Sequence, residues 1–204
     1  MKSSDWAPTS PKGRGRPRDP KLREAVLKTA ARQLYDTGFD RITLEGLAAE
    51  AGVGKPTIYR WWPNKAAVIT DALLSGFLAS PQIELDEQAN GTWDGIERWL
   101  RILAERISGP YGELMRATTA IIATDAVLGE EILVAYSEPA RQVLLSYLRR
   151  GIAKGDVQPG AALEPIVDIA WAMIVFIGTT RANPERIPAI VEILRRAAGT
   201  DECT

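Results

Sequence analysis

The chain has 204 residues, 46% of them apolar and 25% charged, with a formal net charge of −1; it is long enough to bury a core in one or two domains. It contains no histidine, which excludes most zinc sites, Ser-His and Cys-His catalysis and the usual proton shuttle. Its single cysteine, Cys203, excludes a disulfide within the chain.

The charge is unevenly placed. Residues 1–65 hold 13 Lys+Arg against 7 Asp+Glu, a net of +6, and the remainder holds 12 against 19, a net of −7. A basic N-terminal third on an acidic body is expected where only one end meets phosphates. The start, Met1-Lys2-Ser3-Ser4-Asp5, lacks the apolar core of a secretory signal. The longest strongly apolar run, Ile169 to Ile177, is nine residues, well short of the ~20 that span a bilayer. The expectation is a cytoplasmic protein with no membrane partner.

Residues 1–18, rich in Ser, Pro, Gly and Arg, are expected to be disordered when free. There Arg14, Arg16 and Arg18 alternate with Gly and Pro, so a slim, extended strand could lie in a narrow minor groove. The stretch resembles the core of an AT-hook; a solvated basic tail is the equal alternative. Asp19-Pro20 starts a first helix, with Asp19 as cap and Pro20 at the first position. It runs to about Thr37, with Leu22, Val26, Ala30 and Leu34 beside Leu27, Ala31 and Tyr35, and Gly38 closes it.

Thr43 caps a second helix to Ala51, whose Leu44, Leu47, Ala48 and Ala51 share one face. Gly52-Val53-Gly54 ends it, and a third helix begins around Lys55-Pro56, where a first-turn proline is tolerated. Two short helices across a glycine-containing turn form a helix-turn-helix, whose second helix enters the major groove. On that helix Lys55 and Arg60 suit guanine acceptors, Pro56 offers an apolar surface to a thymine methyl, and Thr57 and Tyr59 lie alongside. Val53, Ile58 and Trp62 are expected core.

Asn64 caps a fourth helix to about Ser80, with Ala66, Ile69, Leu73 and Phe77 inward. With no Gly- or Pro-rich linker before it, this helix is expected to join the reader rigidly to the rest. Residues 81–91 form a polar break. A fifth helix, Thr92 to Ile107 with Thr92 as cap, and a sixth, Tyr111 to Thr124, flank Gly109-Pro110. A long seventh, Ala126 to Lys154, should kink or split at Glu138-Pro139. An eighth spans Ala162 to Thr180 and a ninth Pro184 to Ala198. The eighth is apolar nearly all round, so something must cover every side; in a chain this small, a second copy is expected to. The fold class is all-α, about nine helices by periodicity. The expected domains are a basic arm over residues 1–18, a three-helix DNA-binding domain over 19–64 and a helical body over 65–204, to which the family resemblance below assigns ligand binding and dimerisation.

From about Leu22 to Leu74 the chain resembles the DNA-binding domain of the TetR family of bacterial transcriptional regulators. The resemblance rests on Ala30-Ala31, Leu34-Tyr35 and Gly38-Phe39, then Thr43-Leu44, Leu47-Ala48 and Ala51-Gly52-Val53, and finally Thr57-Ile58-Tyr59 and Asn64-Lys65. It implies phosphate contacts from Thr43, Tyr59 and Lys65, which set register without reading sequence. Where the family usually has a His before an aromatic, this chain has Trp61 before Trp62. The indole N–H of Trp61 could donate to a phosphate, or its ring could pack.

The resemblance also implies a homodimer built from the last two helices. Ile166, Ala170, Met173, Ile174 and Ile177 would join Ile187, Ile190, Val191 and Leu194 in a four-helix bundle. It further implies a small-molecule chamber, for which Trp99, Tyr111, Met115 and Thr118, with Ile122, Tyr136, Tyr147 and Trp171, are candidates. The expected function is a homodimeric repressor, released from a double-stranded DNA operator by a small apolar or amphipathic effector. The alternatives are a sequence-indifferent architectural DNA binder and an enzyme using the helical cavity. No catalytic residues, metal ligands or cofactor are assigned.

Overall fold

A computed structural model describes residues 19–78 and 91–199. Among these residues the chain is helical, without a strand. The first helix, α1 (Pro20–Thr37), starts where the Asp19 carboxylate accepts from the Lys21 N–H at 3.0 Å. It stops at Gly38, whose φ of +84° turns the chain away. A short 3₁₀ turn, Phe39–Arg41, leads to α2 (Leu44–Glu50). Thr43 caps α2 by accepting from the Gly46 N–H at 3.0 Å. Gly52 supplies a φ of +68°, and the Val53 N–H closes the turn onto the Ala48 carbonyl at 2.8 Å. Helix α3 (Lys55–Trp61) follows at once, and α4 (Lys65–Leu74) starts with the Asn64 side chain accepting from the Ala67 N–H at 2.8 Å.

Two expectations need correction and a third is met. Helix α4 ends at Leu74 and not near Ser80, because Gly76 takes a φ of +77° and the Phe77 N–H folds back onto the Ala72 carbonyl. Thr92 does not cap α5 (Thr92–Ile107); it is the first helical residue, and its N–H donates to the Asp156 carboxylate at 3.2 Å. The long seventh helix, expected to kink or split at Glu138-Pro139, splits there. It divides into α7 (Ala126–Ile132) and α8 (Glu138–Lys154) across a π turn, Leu133–Ser137. Pro139 has no N–H to give the carbonyl one turn back, and the wider turn lets the Glu138 N–H reach the Leu133 carbonyl instead.

Helix α6 (Tyr111–Thr124) ends at Asp125, which caps α7 by accepting from the Val127 and Leu128 N–H groups. The body is completed by α9 (Leu163–Thr180) and α10 (Ile187–Ala197). The α2–α3 pair packs on α1; α4 packs on α1, α6 and α7; α6 reaches both α1 and α9. One buried apolar cluster, from Val26 to Ala198, runs through all of them. Helix α9 is long and apolar enough to cross a membrane, but it packs against α5, α6, α8 and α10 and so serves as the central strut of the body.

Candidate nucleic-acid interface

Helix α3 presents its residues in two sectors, which follow from about 100° of turn per residue. Lys55, Pro56, Tyr59 and Arg60 fall on one exposed stripe, with Tyr59 48% exposed. Ile58 and Trp61 fall opposite and are buried, while Thr57 sits half-buried between the sectors. Thr43, at the head of α2, is exposed; its oxygen accepts from the Gly46 N–H, so the hydroxyl proton remains to donate. Lys55, Pro56, Tyr59 and Arg60 thus share one stripe of α3, and exposed Thr43 stands at the head of the neighbouring α2.

Two of the sequence candidates are placed elsewhere. The Lys65 ammonium turns inward, donating to the carbonyls of Phe39 at 2.9 Å and Asp40 at 3.2 Å and lying 4.5 Å from the centre of the Phe39 ring. It clasps the 3₁₀ turn to the start of α4. Trp61 is 7% exposed and packs edge-to-face on Trp62. Arg14, Arg16 and Arg18 lie outside the described residues.

The structure adds two arrangements that sequence reasoning missed. The Tyr59 hydroxyl donates to the Glu45 carboxylate on α2. That bond holds Glu45 below the usual carboxylate range and raises Tyr59. The second is a hub at Asp71 on α4. Its carboxylate accepts from Arg23 on α1, from the Trp62 indole N–H at 2.8 Å and from the Ser75 hydroxyl at 3.2 Å. Asp71 thus ties the end of the recognition helix to α1 and α4. A signal was available: Asp71 is the lone carboxylate in the otherwise mostly apolar Lys65–Leu74 segment, and a carboxylate facing a core needs partners.

In the body, α6, the π turn and α9 enclose a small, mostly apolar cavity of about 180 Å³. Of the expected lining, Met115, Thr118, Ile122, Tyr136 and Trp171 reach it, joined by Thr119, Leu133 and Val175 among others. Burial pushes the Tyr136 phenol well above its ordinary value, with Tyr35 and Tyr111 adding to the effect. Trp99, Tyr111 and Tyr147 do not line this cavity. Trp99 and Tyr147 are buried in the core, and Tyr111 packs edge-to-face on Tyr35 with ring centres 6.3 Å apart.

Most of the dimer candidates on α9 and α10 are not surface residues. Ile166, Ala170, Ile174, Ile177, Ile187, Val191 and Leu194 are buried within the chain itself, and only Met173 and Ile190 are partly open. The exposed apolar stripe instead carries Ile169 at 53%, Ala172 and Phe176 at 43% on α9, with Ala189 and Ile193 at 62% on α10. Inward and outward apolar residues alternate around α9, which periodicity alone cannot sort.

The chain is similar to known proteins over most of its length. A family model described as bacterial regulatory proteins, tetR family, matches residues 26–72, and one described as tetracyclin repressor-like, C-terminal domain, matches residues 90–196. The uncharacterized HTH-type transcriptional regulator YdeS of Bacillus subtilis is 31% identical over 163 residues, covering 80% of this chain and 81% of its own. A DNA-binding transcriptional repressor TetR of Mycobacteroides abscessus is 30% identical over 153 residues, 74% of this chain and 78% of its own. Among solved structures, the TetR family transcription regulator SCO0332 superposes with a TM-score of 0.59 at 23% identity, over 87% of this chain and 98% of that one. A CifR cysteine mutant complexed with a 26-bp double-strand operator DNA superposes with a TM-score of 0.56 at 21% identity, over 91% and 100% of the two chains.

Proposed function

Because this chain belongs to the TetR family, whose members are DNA-binding transcriptional regulators, we propose that it acts as a homodimeric repressor released from its operator by a small effector. The observation that carries the reading is the exposed stripe of α3, backed by a buried face that fixes its angle. On this reading Lys55 and Arg60 read base edges in the major groove and Pro56 meets a thymine methyl. Thr43 and Tyr59 donate to phosphates and set the register. The arm carrying Arg14, Arg16 and Arg18 adds affinity from the minor groove. The site of action is the cytoplasm.

Two copies join through the Ile169–Phe176 and Ile193 stripe, which supports a four-helix bundle of paired α9 and α10. Dimerisation sets the two recognition helices about one DNA turn apart, or a multiple of it. The effector enters the cavity between α6, the π turn and α9. At about 180 Å³ this space is below the ~300–1,000 Å³ typical of ligand sites, so the ligand is small and apolar or the cavity widens around it. Release is a population shift: the effector lowers operator affinity only by the amount it prefers the form with misplaced heads.

Fragments of the source genome selected by the purified protein test the reading. They should converge on a pseudo-palindromic site that outcompetes unrelated DNA by a wide margin at physiological salt. Equal affinity for every sequence would replace the repressor with an architectural binder.

A further inference from the structure

A second and larger hollow lies where head and body meet. It is a half-open cleft of about 590 Å³ between the end of α1, the turn joining α5 to α6, and the end of α9, a size within the ~300–1,000 Å³ of small-molecule sites. Its apolar walls include Tyr35, Ile107 and Ile177, with Ile107 and Ile177 buried beneath. Its charged groups are Arg116, Arg181 and Glu113, one cation in excess.

The two cations are held differently. Arg116 is spoken for: it donates to Glu113 and, at 2.9 Å, to the Gly178 carbonyl. Arg181 is 77% exposed and reaches Glu113 only at 3.6 Å, beyond good hydrogen-bond geometry. Its backbone is costlier still. Arg181 is the only residue other than glycine with a positive φ among the described residues, at +56°, in a left-handed conformation that ends helices most easily with glycine. A bulky residue kept where glycine would be relaxed points to a task for its side chain.

We propose that the junction cleft is a second ligand site, for an amphipathic monocarboxylate held by the Arg181 fork beside Arg116, with its apolar body against Tyr35, Pro110 and Pro184 above the buried Ile107 and Ile177. One excess positive charge matches one carboxylate, and the planar guanidinium suits its two oxygens. Glu113 disfavours a doubly charged phosphate at the same point. The ligand would also report to the head: the Glu113 carboxylate sits so close to Gly38 that a Cβ there would lie 2.9 Å from it. A carboxylate that draws Arg181 and Arg116 away from Glu113 therefore loosens the contact at which α1 ends.

Calorimetric titration of the full chain with sodium octanoate tests this, and contains no DNA, so its result is independent of the operator reading. Octanoate should bind once per chain, and octanol, lacking the charge, about 10–100-fold more weakly. R181G removes the side chain while relaxing the backbone; it should keep or raise thermal stability yet weaken octanoate by about 10–100-fold. V175F, which fills the separate central cavity, should leave octanoate affinity unchanged. The proposal is overturned by no saturable binding, by octanol binding as tightly as octanoate, by R181G binding like wild type, or by V175F abolishing the binding.

Discussion

Removing the Asp71 carboxylate is the sharpest test of how the reading head is held. In D71A the Trp62 indole N–H loses its acceptor while its ring stays 3% exposed. A buried donor left without a partner costs about 1–3 kcal/mol. The Arg23–Asp71 pair is partly open, with side-chain exposures of 33% and 21%, so its loss adds only about 0.5–1 kcal/mol. The sum is about 1.5–4 kcal/mol. D71N keeps an acceptor for Trp62 and should cost about 1 kcal/mol, mostly the lost charge. Denaturant unfolding at one fixed protein concentration measures both, since a dimer's stability depends on concentration. Operator affinity should fall in D71A although Asp71 lies off the α3 stripe, because α3 loses its anchor at Trp62. A D71A protein within about 0.5 kcal/mol of wild type, the ordinary range of surface changes, would refute the hub.

Three further outcomes follow from the same surfaces. In E45Q the carboxylate beside the proposed phosphate contact is gone, so affinity for all DNA should rise. Because the Tyr59 bond holds Glu45 below its usual range, giving that bond to a phosphate lets Glu45 return upward and take up a proton; wild-type binding should therefore strengthen as pH falls through the carboxylate range, and E45Q should lack this dependence. K65M removes the clasp on the Phe39 and Asp40 carbonyls and should cost about 1–2 kcal/mol of stability, whereas a residue acting on phosphate alone would lose DNA affinity and no stability. I193D places a charge on the exposed stripe of α10 and should yield folded monomers in sedimentation, with operator binding sharply weakened; dimers that persist would move the interface elsewhere.

What sequence alone revealed was local. Asp19, Thr43 and Asn64 cap their helices as read, because a cap needs only the next two or three residues. The stripe on α3 was legible for the same reason. The Asp71 hub was not, since Arg23 lies 48 positions away and nothing local joins the two. The faces of α9 were illegible for a different reason: Ile174 and Phe176 are both apolar, and only the packing of α5, α6 and α8 decides which is core. Lys65 shows a third limit, because a lysine near a DNA-reading helix looks the same whether it reaches a phosphate or a carbonyl.

The π turn at Leu133–Ser137 amounts to one surplus residue stored in a helix that otherwise runs on from Ala126 to Lys154. A stored residue can travel. If the wide turn tightened to ordinary pitch and the surplus moved toward α7, the residues it passed would each rotate by about 100°. Leu133, Tyr136 and Ser137, which wall the central cavity, would rotate with them. The cavity could then be resized by a screw-like slip along one helix, with neighbouring helices left in place. Pro139 opposes such a slip and holds the wide turn where it is, since it cannot donate the bond that normal pitch would require there.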